Sequence, residues 1–437
     1  MRKISRLSLI AAIAVAGFST ANAKPLEEAI KDVDVSGSVF YRYNNYHNDV
    51  LKNRFNPALG KEGSTSNNNY KAALSLSSKA NDFVKVNTRF LVSKPTSYRL
   101  DLGDPLANPP IDPSVKANPN DGEAAKLDTT KNGDQGVEVI LSQAYFSLTS
   151  IKNTTINVGK QGLTTPWTVA TDSGGNEQTG TGVLGLSTWG PITVAAAYFN
   201  QTNLDKSGNL INDLPIFAQH KSIANVGTFD IATAGVIGNF GPITADVWYL
   251  TMDNTFKTYN VGVEGKFDLS KGSNIGFEIR YVDGTTAPIK DQKLTKLVVN
   301  GKFGIVNAKV AYAKSGKNGG LTALDSDAKT AITGWGINTL DLVNDGHYIQ
   351  AVLGIDILKN LNLSANYGTL EDKDKSDGIL TKSEMKEVYG QLTYKMSKNL
   401  STYIRYGTYT NDDKISDGTT TNINDDIRGR LQVEYTF

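Results

Sequence analysis

Cysteine is absent from the chain, so no disulfide braces the fold and none can form in an oxidising compartment. Histidine is scarce: His47, His220 and His347 fall at or near expected loops, without the spacing of a metal site. No His–Ser pairing stands out that would build a hydrolytic triad, and an enzyme is not expected. Beyond the N-terminal segment no apolar run approaches the ~20 residues of a membrane helix, which excludes a helical membrane bundle. An excess of one charge is also missing. With 45 basic and 44 acidic residues the formal charge is +1, which argues against a nucleic-acid partner.

The N-terminus carries the first positive signal. Arg2, Lys3 and Arg6 precede a short apolar stretch from Leu7 to Phe18, and Ala21-Asn22-Ala23 supplies small residues at the cleavage positions Ala21 and Ala23. This pattern predicts a secretory signal over residues 1–23, leaving 24–437 as a single exported domain. Its loss removes three bases and no acids, so 42 basic residues face 44 acidic ones and the charge becomes −2.

At the other end, Ile427, Gly429, Leu431, Val433, Tyr435 and Phe437 alternate with Arg428, Arg430, Gln432, Glu434 and Thr436. A two-residue period makes one face of a strand apolar and the other polar. A terminal aromatic such as Phe437 marks the last strand of an outer-membrane barrel, the one read by the barrel-assembly machinery. The same alternation recurs along the chain. Val35/Val39/Tyr41/Tyr43 oppose Ser36, Ser38 and Arg42; Val84/Val86/Thr88/Phe90 oppose Lys85, Asn87 and Arg89. Later examples are Ile243/Ala245/Val247/Tyr249 and Ile275/Phe277/Ile279/Tyr281. Near 140–149 and 230–238 both faces are apolar or small, which reads either as a subunit contact or as a misjudged phase.

Short connections such as Trp189-Gly190-Pro191 and Lys359-Asn360 alternate with long ones at 47–68, 94–137, 163–178, 201–228, 315–346 and 411–424. The expectation is an all-β, transmembrane antiparallel β-barrel of about 18 strands, with short periplasmic turns and long extracellular loops. The 41 glycines, 19 tyrosines and 15 phenylalanines suit its turns and aromatic girdles. In hydrocarbon a sheet must close on itself, and a barrel of 16–18 strands is too wide for side chains to fill. The polar faces then line a water-filled pore. The setting is the outer membrane of a Gram-negative bacterium, against lipid and lipopolysaccharide.

Several segments also resemble a known family. PLEEAIKDVDVSG from Pro25 to Gly37, followed by Tyr41-Arg42-Tyr43, is similar to the mature start of the Campylobacter-type (epsilonproteobacterial) major outer membrane porins. Val158-Gly159-Lys160-Gln161 with Trp167, Thr168 and Asp172, then Gly180-Thr181-Gly182-Val183, and the terminal Tyr435-Thr436-Phe437, fit the same family. The resemblance implies an eighteen-stranded homotrimeric porin that passes small hydrophilic solutes and weakly favours cations. By resemblance to general porins, the third long loop, about 163–178, folds inward and constricts the pore. It carries Trp167, Asp172 and Glu177, with Lys160 just before it. An ordinary exposed loop is the alternative.

Strand phase turns Arg42, Lys71, Lys85, Arg89, Arg280, Arg405, Arg428 and Arg430 inward, with the carboxylates Asp246, Glu264, Glu278 and Glu434. Arginines facing loop carboxylates would set up a transverse field in the pore. Tyr145, Trp248, Tyr389 and Tyr403 are candidates for an aromatic slide.

Two motifs point elsewhere. Gly180 to Gly185 satisfies G-x-G-x-x-G, but no helix is expected after it, so a dinucleotide site is rejected in favour of close strand approach. Asp372, Asp374, Asp377 and Glu384 resemble a calcium loop with one residue too many before its glycine. A weak Ca²⁺ site there, or at the pore carboxylates, competes with a plain solvated acidic loop, and no cofactor is required. Besides the porin, the alternatives are a surface or adhesin barrel with little transport and a substrate-specific channel.

Overall fold

A computed structural model describes residues 33–51, 63–93, 127–128, 138–204, 227, 229–253, 256–286, 292–319, 322–339, 344–376, 379–415 and 418–437. The expected signal with Ala21 and Ala23, the proline-rich 94–126, His220 and Asp377 lie outside them.

The strands are β1 (Asp34–Leu51), β2 (Gly63–Asn81), β3 (Val84–Ser93), β4 (Leu127–Asp128), β5 (Glu138–Leu148) and β6 (Thr154–Gly162). They continue with β7 (Thr179–Trp189), β8 (Ile192–Thr202), β9 (Ile231–Phe240), β10 (Ile243–Met252), β11 (Phe256–Ser270), β12 (Ser273–Thr286) and β13 (Gln292–Phe303). The last are β14 (Val306–Ser315), β15 (His347–Leu358), β16 (Leu361–Ser376), β17 (Ile379–Lys395), β18 (Leu400–Ile415) and β19 (Thr420–Thr436). The two-residue β4 pairs only on β2, through Asn69↔Asp128 and Tyr70↔Leu127. The other eighteen form one antiparallel ring, closed where β19 meets β1 with Arg42 opposite Gln432.

Closure follows from where the apolar residues sit. Val194, Val236, Val247, Val261 and Tyr281 form one continuous row across β8 to β12. All five are exposed on the outer surface. Such a row costs free energy in water and none in hydrocarbon, so the outer face is built for lipid. At the seam, Gly37 exchanges backbone hydrogen bonds with Phe437, tying the terminal aromatic residue to the first strand.

Three expectations change. First, segment 140–149 falls largely in strand β5, whose phase shifts once: Arg89 pairs with Gln143 and Phe90 with Leu141, so Ser142 is the extra residue of a β-bulge. The inserted residue flips the alternation and made both faces read as apolar. Second, the double-sided 230–238 is not explained by a subunit contact on its second face. The inward side of β9, with Ile231 and Ile237, belongs to a core inside the barrel. Third, 411–424 is not a long loop, because β18 runs to Ile415 and β19 starts at Thr420.

That interior core is what the alternation alone did not indicate. Two loops between strands, L3 (163–178, between β6 and β7) and the described parts of L7 (316–319, 322–339 and 344–346, between β14 and β15), enter the lumen and pack against the wall. Leu163 and Trp167 of L3, and Leu324, Ala331, Ile332 and Ile337 of L7, share one buried cluster with Phe199, Trp248 and Val298 of the strands.

Candidate pore constriction

L3 is a folded element in its own right. Leu163 N–H donates to the Gln178 carbonyl at 2.8 Å, closing its base. At its tip, Asp172 accepts from Asn176 through the backbone N–H on Oδ1 and the side-chain Nδ2 on Oδ2, both at 2.7 Å. Charge docks it to the wall. Arg89 Nε lies 2.8 Å from Glu177 Oε1, and Lys71 Nζ lies 3.3 Å from the same oxygen while also donating to the Gly175 carbonyl. Burial alone would raise the Glu177 carboxyl, but the Lys71 ammonium and Arg89 guanidinium hold it below the ordinary glutamate value. Arg42 completes the docking by donating to the Ser173 carbonyl at 2.6 Å.

L7 lies alongside. Leu324 N–H donates to the Trp167 carbonyl at 2.7 Å, Thr330 N–H to the Pro166 carbonyl at 3.0 Å, and Gln178 Nε2 to the Leu324 carbonyl at 2.5 Å. Strand residues clamp its far side. Glu387 of β17 accepts from Trp335 N–H at 3.0 Å and Gly336 N–H at 2.6 Å. Lys296 of β13 donates to the Lys329 and Ala331 carbonyls at 2.8 and 2.9 Å. A buried carboxylate receiving two backbone donors, and a buried ammonium giving two bonds, each satisfy polar groups that would otherwise be stranded.

Among the described residues, the cavities between loops and wall include three of about 230, 830 and 460 Å³. Asp327 of L7 lines all three. The smallest is bounded by Arg42 (β1), Tyr389 (β17), Arg405 (β18) and Arg430 (β19) on the wall, and by Asp172 and Trp335 on the loops. The largest is lined partly by apolar groups, among them Leu184, Phe199, Ile237 and Trp248. The third carries Glu278, Lys296, Lys309 and Lys329.

The residues singled out in the sequence divide into distinct settings. Arg42, Asp172, Arg405 and Arg430 meet at the smallest cavity. Glu177 is buried in the L3 anchor, and Trp167 lies in the inner core with 1% exposure, so neither presents its side chain to the pore. Lys160, expected at the pore constriction, faces outward. It is in register with Ala144 and Thr181, on the outward side shared by Phe146 and Val158, and donates to the Leu141 carbonyl at 3.3 Å. Arg280 is clamped by Asp246 at 2.9 Å and Glu278 at 3.0 Å, and Arg428 by Asp426 at 2.5 Å. Glu264 holds Lys329 of L7 at 3.0 Å. Lys85 shares the inward phase of Arg89, and Glu434 receives Gln432 Nε2 at 3.4 Å; both stand away from the three cavities. The tyrosines split: Tyr389 and Tyr403 line the smallest cavity, whereas Tyr145 and Trp248 line the largest.

The expected calcium loop is a hairpin arm. Asp372 and Asp374 belong to β16 and Glu384 to β17, where Glu384 is paired with Lys386 and with Lys414 at 2.7 Å. Among the described residues no group of three acidic or histidine side chains is placed to hold a metal. The glycine-rich motif sits in β7, where a Cβ on Gly182 would lie 2.0 Å from the Tyr198 carbonyl of β8; close approach is its role. The residues missed were Asp327, Lys329 and Trp335 of L7 and the inward Glu387. The available signal was the apolar content of L7, since Leu324, Ile332, Trp335 and Ile337 have no reason to sit on an exposed loop.

A closed eighteen-stranded barrel with an apolar belt and loops folded into its lumen is the architecture of an outer-membrane porin. The chain belongs to the Campylobacter major outer membrane protein family, whose sequence model matches residues 1–437. No curated protein matches the sequence. Among solved structures it resembles OpdL of Pseudomonas aeruginosa, at 15% identity and a TM-score of 0.62, over 92% of this chain and 99% of that one. OccAB3 of Acinetobacter baumannii is similar at 14% identity and a TM-score of 0.65, over 92% and 99% of the two chains. So is OccK2 (OpdF) of P. aeruginosa, solved in complex with glucuronate, at 12% identity and a TM-score of 0.60, over 92% and 98%. At these identities the likeness concerns the fold.

Proposed function

We propose that the barrel is a passive diffusion channel for small hydrophilic solutes and ions, working without a cofactor as a homotrimer. The observation that carries this reading is that cavities lined by side chains of both signs persist after L3 and L7 have entered the lumen. Arg42, Arg405 and Arg430 on the wall face Asp172 and Asp327 on the loops, so a solute passing between them meets a transverse field. A weak preference for cations is part of the proposal and follows the family resemblance; the loop carboxylates Asp172 and Asp327 would favour cations and the wall arginines oppose them.

Recording the purified protein in a planar bilayer under a KCl gradient tests the reading. Stable steps in groups of three, with a reversal potential of the sign set by K⁺ permeation, are expected. Properly folded protein that passes no current would overturn it and leave a surface or adhesin barrel as the better description.

A further inference from the structure

We propose that the cavity of about 830 Å³ is a binding subsite for uncharged amphipathic solutes, small molecules that join an apolar ring to hydroxyl groups. The proposal rests on the channel reading and adds a solute class to it.

The inner wall of a water-filled barrel is ordinarily polar. From β7 to β10 this one is not. Leu184 and Leu186 of β7, Ala197 and Phe199 of β8, Ile237 of β9 and Trp248 of β10 all line the cavity. Register makes them neighbours, with Leu184 opposite Ala197 across the β7–β8 ladder. L3 and L7 cover only part of this patch. Phe199 is buried in the inner core, whereas Leu184, Leu186, Ala197 and Ile237 stay half-buried at its edge. Apolar surface left open in this way gains free energy when a solute covers it.

The wall is also shaped to present a ring. Gly235 of β9 pairs with Trp248, and a Cβ on that glycine would lie 2.1, 2.3 and 2.5 Å from Cδ2, Cε3 and Cε2 of the indole. The indole therefore lies over the glycine, against the wall, in the space a side chain would fill. Neutral hydrogen-bonding groups border the patch, among them Gln143, Tyr145, Asn157 and Thr164. Gln161, another lining residue, is 2% exposed, and its Nε2 has no hydrogen-bond partner among the described residues, so a buried donor is left for a solute oxygen.

Charge is sparse here. Among the described lining residues only Asp246, Asp327 and Lys329 are charged, and each is engaged: Asp246 with Arg280 at 2.9 Å, Asp327 with the Ser173 N–H, and Lys329 with Glu264 at 3.0 Å. The smallest cavity, by contrast, is walled by three arginines, and the third by Glu278 and three lysines. An apolar-lined space of this size, with a few neutral polar groups to fix orientation, is the usual form of a small-molecule site.

The test uses the full-length protein in planar bilayers carrying a KCl current at neutral pH. Phenyl β-D-glucoside is added to one side, with methyl β-D-glucoside and benzoate as separate comparisons. The phenyl glucoside is expected to reduce the current saturably, at concentrations about tenfold or more below those the methyl glucoside needs, because the two differ only in the apolar group. Benzoate, a ring with a charge in place of hydroxyls, is expected to act more weakly than the phenyl glucoside. Leu186→Asn and Ile237→Asn are each expected to weaken the phenyl glucoside effect about fivefold or more while KCl steps persist. The ranking of solutes is read on the unaltered chain and needs neither variant to assemble. Equal action of the two glucosides would overturn the subsite. Benzoate acting as tightly as the phenyl glucoside would overturn the uncharged class, and an undiminished effect in both variants would overturn the location. Absence of KCl steps in folded protein would instead overturn the channel reading, so the two failures are distinguishable.

Discussion

The backbone N–H of Ser173 donates to Asp327 Oδ2 at 2.5 Å, so a charge-assisted hydrogen bond joins L3 to L7 inside the barrel, beside the neutral ones made at Pro166, Trp167 and Gln178. Neither loop constricts the lumen alone, because the carboxylate that lines all three cavities also ties its loop to the other.

Replacing Asp327 with alanine removes this link. A hydrogen bond to a charged group contributes about 1.5–3 kcal/mol, enough to let the tips separate for part of the time. Single-channel currents of Asp327→Ala are expected to flicker between two levels, the higher exceeding the wild-type step. A steady trace at wild-type conductance would show that the link does not set the opening.

Glu387 is the wall-side counterpart. Its carboxylate accepts from the Trp335 and Gly336 amides, and a glutamine keeps the shape but loses the charge and one acceptor. Glu387→Gln should fold and run as a heat-modifiable barrel on gels, yet show larger and noisier conductance. Unaltered conductance would mean that the apolar underside of L7 holds it in place unaided.

The L3 anchor is more costly to break. Glu177 and Lys71 are each 3% exposed, and removing one partner of a buried pair costs about 3–5 kcal/mol because the other charge is stranded. Glu177→Gln is expected to lower the unfolding temperature and the yield of folded barrel, whereas Lys71→Met together with Glu177→Gln should recover part of the loss.

The same pair sets a pH response. Since the folded Glu177 value is depressed, its contribution is fully present above the unfolded glutamate value of about 4.3 and is lost only as pH falls through the lower folded value. Conductance should therefore be flat from pH 7 to about 5 and change only in stronger acid. A transition near neutrality would assign the pH response to another group.

Gly182 tests strand packing rather than charge. Its Cβ position lies 2.0 Å from the Tyr198 carbonyl, a backbone atom that cannot swing aside. Gly182→Ala is expected to destabilise the barrel by about 1–3 kcal/mol, read as a lower unfolding temperature. A wild-type unfolding temperature would rule out the close approach of β7 and β8.

How much was legible depended on period. Arg42, Arg280, Arg405, Arg428 and Arg430 could be assigned to the lumen because alternation in a strand is strict, and neighbours on one face share one fate. Segment 140–149 escaped that logic, because the bulge at Ser142 shifts the phase by one residue. Lys160 obeys it, sharing the outward phase of Val158; its expected place at the pore came only from its position before L3. Glu177 was recognised as a loop carboxylate, but nothing local distinguished a pore charge from a buried anchor. That distinction rests on Lys71 and Arg89, about a hundred residues earlier in the chain.

The sequence by itself determined a strand-built ring with an apolar outside and a charged inside, because a two-residue period and a hydrocarbon solvent allow little else. It also determined which arginines face inward. Only the tertiary structure decided that L7 joins L3 in the lumen and that Trp167 is core. Only closure of β19 on β1 sets Arg42 beside Arg405 and Arg430. Those outcomes depend on contacts between residues far apart in the chain, which exist only once the barrel has closed and carry no local period to announce them.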